Sequence, residues 1–416
     1  MNLSRLTRLN NAFDNAQKLA LITFFSSLYF YIHVNTLYLQ TRGLNLLEIR
    51  TLESIIILTI FLTEVPTGII ADRIGRKWSV VLALAFQALG EILYLFSSSF
   101  SAFVFIAILA GIGFAFLSGA KEALIYDSLP EDNRDERMQR ATGNLGSAYQ
   151  LAFFVSPLIG GLLVSQLVLD EFMLVIFMTA CSVTLGLLIS FTLQEPPIPY
   201  TADQPSSLAI LREGWQTITT NPRLRHIFAV TVLTATFSGT LVGLYQPHFV
   251  DQGISPFFIG AGLSLGSLVA VFTQRYAYKL ETWFGARWGI VVATVLPGVL
   301  LIVLATITGS SLVFLAFVLA YGTANMRGPL LAAAQNRHIP DAVRATTLSI
   351  INMFGSLYVA GVGILLGAVA VHSVRAALLI SGVLVIGCTI LTRADLLYRY
   401  ADKLPPSPDS DKGDPV

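Results

Sequence analysis

Between Phe100 and Lys121 the chain carries no charge, and the stretch KEALIYD then sets Lys121, Glu122 and Asp127 close together. A charged side chain inside an apolar helix costs about 2.5–3.5 kcal/mol to insert into a bilayer, so it faces the bundle interior and finds a partner. Other ionisable residues share this setting: Glu53, Glu64, Glu91, His33 and Arg327 all lie within apolar runs. Glu53 and Glu64 are eleven residues apart, which puts them within ~20° on one helix face. Carboxylates and histidine in such surroundings can exchange protons in the physiological range or hold a charged solute. Glu122 and Glu53 are the first expected proton or solute sites, with Lys121 modulating Glu122. The bland alternative for Lys121 and Glu122 is a salt bridge that holds the bundle together. For His33 it is a satisfied hydrogen bonder.

At ~100° per residue Glu122 shares a stripe with Gly111, Ala115, Ser118 and Gly119, a small and polar surface suited to a cavity wall. The first apolar run adds aromatic residues, Tyr29, Phe30, Tyr31 and Tyr38 among them, that can stack on a ligand or simply pack.

These residues sit in a chain that is 54% hydrophobic and 12% charged, too apolar for an ordinary soluble domain. Apolar windows of about twenty residues, each able to cross a ~30 Å hydrocarbon core, recur from end to end. Twelve spans can be drawn, near 17–39, 47–70, 78–98, 101–128, 140–166 and 172–192, then 224–250, 255–279, 287–308, 311–335, 342–370 and 373–396. Cations cluster on one side of them, while the opposite loops hold only Arg42, Arg50 and Arg375. By the positive-inside rule both termini and the central linker are expected in the cytoplasm. The near-neutral net charge argues against a nucleic-acid partner. The two cysteines have no metal or pair spacing. No phosphate loop, metal cluster or nucleophile–base set is present, so neither cofactor nor enzymatic chemistry is expected.

The halves echo each other. GRKWSVV (75–81) is matched by GARWGIVV (285–292), and NRDERMQRAT (133–142) by NRHIPDAVRAT (336–346), each at the same ordinal loop of its half. Two six-helix units repeated in parallel, with a site between them, are a transporter architecture. Span 10 is the repeat partner of span 4, so Arg327 and Lys121 are expected to face one cavity from opposite halves.

Two motifs narrow this reading. The loop after span 2, GIIADRIGRKWS, holds Gly68, Asp72, Arg73, Gly75, Arg76 and Lys77. It closely resembles the major facilitator superfamily signature between helices 2 and 3. Physically, Gly68 permits close helix approach and Asp72 suits the positive end of a neighbouring helix. Arg76 can pair with Asp127 at the same membrane face. The resemblance implies a lock that shuts the cytoplasmic side. Span 5, GNLGSAYQLAFFVSPLIGG, has Gly143, Ala152, Ser156, Pro157, Gly160 and Gly161 where drug–proton antiporters of that superfamily carry their own signature, with Ala152 and Ser156 replacing glycine. The arginine that many antiporters carry in span 4 is Ala107 here.

The expected fold is therefore all-α and membrane-embedded, with twelve helices in two pseudo-symmetric six-helix bundles. Its parts are an N-terminal bundle (1–192), a cytoplasmic linker with a short amphipathic helix (193–222), a C-terminal bundle (223–397) and a disordered cytoplasmic tail (398–416). The expected function is proton-coupled efflux of small, drug-like molecules across the inner or plasma membrane, with a small-molecule substrate, protons and the lipid bilayer as partners and a monomer as the working unit. Proton-symport uptake of a sugar, metabolite or anion is the first alternative, and a non-transporting receptor on the same fold the second.

Overall fold

The computed structural model describes residues 3–129, 132–196, 207–235, 237–339 and 344–397. The expected tail and residues 197–206 of the expected linker lie outside them. Every regular element among the described residues is helical.

Among the described residues, ten helices are long and apolar enough to cross a membrane: Leu46–Ile74, Arg76–Phe96, Phe100–Ser128, Arg134–Leu163, Leu169–Ser190, Pro222–Asp251, Pro256–Arg275, Tyr278–Thr306, Thr346–His372 and Val374–Leu391. They are spans 2 to 9, 11 and 12. Spans 1 and 10 are each built from two helices: Leu3–Ser26 with Asn35–Thr41, and Ser310–Thr323 with Arg327–His338. Tyr278–Thr306 holds a turn at Gly285, before span 9 begins, and two others of the ten are interrupted within the span itself. Span 4 divides into Phe100–Leu117 and Ala120–Ser128 at Gly119, whose φ of 71° is left-handed. Span 7 divides into Pro222–Leu233 and Ser238–Asp251, with Phe237 at φ 51°. The interrupted spans are thus 1, 4, 7 and 10, the first of each successive triplet, as three-helix repeats nested in two halves require.

Broken helices leave backbone groups without intrahelical partners, and lipid offers none. In span 1 side chains fill the gap. The Phe30 N–H donates to Thr179 Oγ1 at 3.0 Å, and Ser182 Oγ donates to the Phe25 carbonyl at 2.8 Å. Gln246 of span 7 accepts from the Thr36 N–H at 2.8 Å and donates to the Ile32 carbonyl at 3.0 Å. Large apolar side chains such as Leu62, Phe96, Leu188 and Leu391 cover the outside, a surface suited to hydrocarbon rather than water.

The repeated loops adopt one conformation. Gly75 (φ 98°, ψ 162°) and Gly285 (φ 76°, ψ 158°) turn the chain alike before spans 3 and 9. A carboxylate from the end of each half meets each turn. Glu195 accepts from the N–H groups of Arg76 and Lys77 at 2.7 and 2.8 Å, capping the positive N-terminus of span 3. Asp395, beyond span 12, accepts from Arg287 at 2.6 Å.

The two halves meet tightly at the end opposite these cation-rich loops. Span 5 packs on span 8 there, and span 2 on span 11. A side chain at Gly260 would run into the Pro157 carbonyl, and one at Gly161 would crowd the Phe257 carbonyl. At the cation-rich end the halves stand apart. A cleft of about 510 Å³ separates Glu64 and Ser118 from Ser349, Asn352 and Ser356 of span 11.

Candidate functional site

A second cavity, of about 480 Å³, opens inside the first half. That volume suits a small molecule. Its walls come from spans 1 to 5 only, so it lies within one half rather than between the two, as the repeat alone suggested. The interruption of span 1 brings Tyr29 and Tyr31 to its wall, and spans 2, 3 and 4 contribute Glu53, Glu91 and Lys121.

Glu91 is the central group. It is buried, and the Tyr31 hydroxyl donates to its two oxygens at 3.1 and 3.0 Å. Tyr31 stacks on Tyr94 with ring centroids 5.4 Å apart, and the Tyr94 hydroxyl donates to Asn35 Oδ1 at 2.6 Å. This chain of contacts fixes the carboxylate while leaving it without a paired cation among the described residues. A buried carboxylate so placed can take a proton or a cationic solute. Glu53 is partly exposed to the cavity and is paired with Arg50 at 2.6 Å. Lys121 makes no hydrogen bond or ion pair among the described residues. The aromatic walls offer ring faces to an apolar or cationic ligand.

Several expectations change here. Glu122 is exposed and does not line the cavity, whereas its neighbour Lys121 does. The reason is Gly119. Its left-handed backbone resets the helix register, so the stripe from Gly111 to Glu122 does not continue across it. Glu64 opens not on this cavity but on the cleft facing span 11. His33 is fully buried beside Gly160, and neither ring nitrogen has a hydrogen-bond partner among the described residues. Arg327 does not face Lys121. It donates to the Thr231 carbonyl at 2.9 Å and to Thr234 Oγ1 at 2.7 Å, closing the break in span 7. Arg50, counted among loop cations, is only 1% exposed and sits inside span 2.

The loop motif is assembled around Arg76, which meets Asp72 at 2.9 Å and Asp127 at 3.8 Å. Arg73 and Lys77 flank it, and Gly68 has no atom within 4 Å of where a side chain would begin. Asp72 is largely exposed, and the N-terminus of span 3 is capped by Glu195. In span 5, Ala152, Ser156, Pro157, Gly160 and Gly161 are buried at the closed end, while Gly143 borders open space. Sequence reading missed Gln246, Glu195 and Asp395. A glutamine in the apolar run LVGLYQPHFV was the only local signal for the first.

The sequence profile of the Major Facilitator Superfamily matches residues 19–360. The chain belongs to this superfamily. An MFS-type transporter of Bacillus subtilis (strain 168), YxaM, is 23% identical over 381 residues, covering 88% of this chain and 90% of that one. Multidrug resistance protein 2 of the same organism is 25% identical over 301 residues, covering 68% and 72%. Among solved structures, a bacterial homolog of the human lysosomal transporter Spinster, in an inward-facing and unoccupied conformation, superposes with a TM-score of 0.76. It is 15% identical and covers 96% of this chain and 99% of its own. The protein is thus a multi-pass membrane transporter of the major facilitator superfamily, not an enzyme.

Proposed function

We propose that this transporter exports a small amphiphilic molecule in exchange for protons, using the cavity in its first half as the shared site. The observation that carries the reading is Glu91, a buried carboxylate held by Tyr31, without a paired cation among the described residues, in an aromatic cavity of about 480 Å³. A carboxylate so placed can hold a proton or a solute but not both, which is the competition that antiport needs. The cation-rich end is read as cytoplasmic, so the cleft there opens to the cell interior. Residues 1–192 and 223–397 are read as the two rocking bundles, joined by 193–222. The relative named a multidrug resistance protein agrees with a drug-like substrate. Symport of an anion is less well supported, because Arg327 is committed to span 7 and only Lys121 remains as a cation in the cavity.

The test uses purified protein in sealed vesicles with a trapped pH dye. Amphiphilic cations, neutral drugs, sugars and organic anions are added one at a time. Proton movement opposite to an amphiphile, reduced roughly tenfold or more by Glu91→Gln, is the expected result. Full coupled flux in Glu91→Gln would remove Glu91 from the mechanism. Protons moving together with a sugar or anion would overturn the export reading.

A further inference from the structure

Arg50 is the largest fully buried side chain among the described residues. It leaves span 2 and crosses into the other half. Its guanidinium fills the space beside Gly243 of span 7, where any larger residue would collide with it. Its aliphatic stem lies against Gly367 of span 11. Nη1 reaches the Gly239 carbonyl at 3.4 Å, and one helical turn away Ser54 Oγ donates to the Ala360 carbonyl at 2.9 Å. Arg50 is therefore a wedge seated across the closed end.

Its charge has one full counter-ion, Glu53 at 2.6 Å. Arg50 Nε has no partner among the described residues. Glu53 has the opposite exposure: it is 41% accessible and lines the cavity. The two members of the pair thus face different compartments. The other ionisable groups on the cavity wall are Glu91 and Tyr94 of span 3, Lys121 of span 4, Tyr29 and Tyr31 of span 1, and Tyr149 of span 5. Spans 7 and 11 present glycine and backbone carbonyl to the wedge.

We propose that the Arg50–Glu53 pair couples the cavity to the closed end: a positive charge taken up by Glu53 from the cavity releases Arg50, and the release lets span 2 part from spans 7 and 11. The physical drive is the cost of an uncompensated buried charge. Once Glu53 is occupied, the guanidinium has lost its only counter-ion among the described residues, and opening that end to water is what relieves it. The proposal rests on the cavity being the transport site.

The test measures the closed end directly by electron–electron spin distances between labels at Thr41→Cys and His372→Cys, in a Cys181→Ser, Cys388→Ser background, in lipid nanodiscs. Glu53→Gln mimics the occupied carboxylate. It should raise the longer-distance population roughly tenfold. Glu53→Asp, which keeps the charge, should stay closed. Arg50→Gln with Glu53→Gln removes both charges and should return toward the closed distribution. An unchanged distance in Glu53→Gln overturns the proposal, as does equal opening in the double variant, which would make the pair a passive clasp. In the unsubstituted pair, opening on acidification alone marks the incoming charge as a proton. Opening only with added tetraphenylphosphonium marks it as an organic cation, and opening with neither overturns the coupling. None of these distances requires flux, so failure of the cavity reading, seen as normal transport in Glu91→Gln, is distinguishable from failure of the gate.

Discussion

Gln246 ties span 7 to the interrupted part of span 1, and its replacement by leucine keeps the volume while removing both polar contacts with span 1, along with a bond to the Val242 carbonyl of its own helix. Two hydrogen bonds between the halves are lost, at 2.8 Å from the Thr36 N–H and 3.0 Å to the Ile32 carbonyl. Gln246 is 1% exposed, so water does not replace them while that end is closed. Each stranded backbone group costs about 1–3 kcal/mol, so Gln246→Leu should destabilise the closed end by roughly 2–6 kcal/mol. At ~1.4 kcal/mol per tenfold, the closed-to-open ratio falls by a factor of roughly 30 or more. Hydrogen exchange followed by mass spectrometry reads this directly, because the Thr36 amide is one of the two groups. Peptides covering residues 32–39 should exchange at least about thirtyfold faster in Gln246→Leu. Gln246→Glu keeps the acceptor for Thr36 but loses the donor to Ile32, and should fall between leucine and the native residue. Exchange at the native rate in Gln246→Leu, or a Gln246→Glu variant as fast as leucine, would refute the reasoning.

Two further predictions concern stability. Gly260→Val drives a side chain into the Pro157 carbonyl, an atom that cannot rotate away, and should lower the Tm in detergent, costing about 3 kcal/mol or more. Gly68→Ala, where a side chain meets no atom within 4 Å, should leave the Tm unchanged, and equal losses in both would contradict the packing described for the two ends. The second concerns Asp395, whose carboxyl is held below its usual range, first by the hydrogen bond from Arg393 and then by Arg287, with partial burial opposing. A lowered folded-state pKa gives stability that is present above the unfolded value, near 4, and lost as pH falls through the folded one. Thermal scans should therefore show Asp395→Asn less stable than the native protein by under about 1 kcal/mol at pH 7. The gap should close only in the acid range; a gap that widens as pH falls would reverse the sign of the argument.

What the sequence determines by itself is whatever local patterning can carry. Apolar windows repeat at the length that crosses a bilayer, so the membrane class and twelve spans are legible residue by residue. The loop GIIADRIGRKWS and its echo GARWG are contiguous, so the superfamily and its internal repeat are legible too. Tertiary structure decided the rest, because it depends on where helices break and on what meets across the bundle. One left-handed residue, Gly119, turned Lys121 toward the cavity and Glu122 away from it, which no unbroken 100° wheel could anticipate. Arg50 looked like a loop cation and became a buried wedge, because its site is made by glycines about 190 and 320 residues further along the chain. Gln246, Glu195 and Asp395 take their roles from backbone groups in distant segments. Those groups lack partners only because the fold breaks or turns a helix there, and the need to satisfy them arises only once the chain is packed.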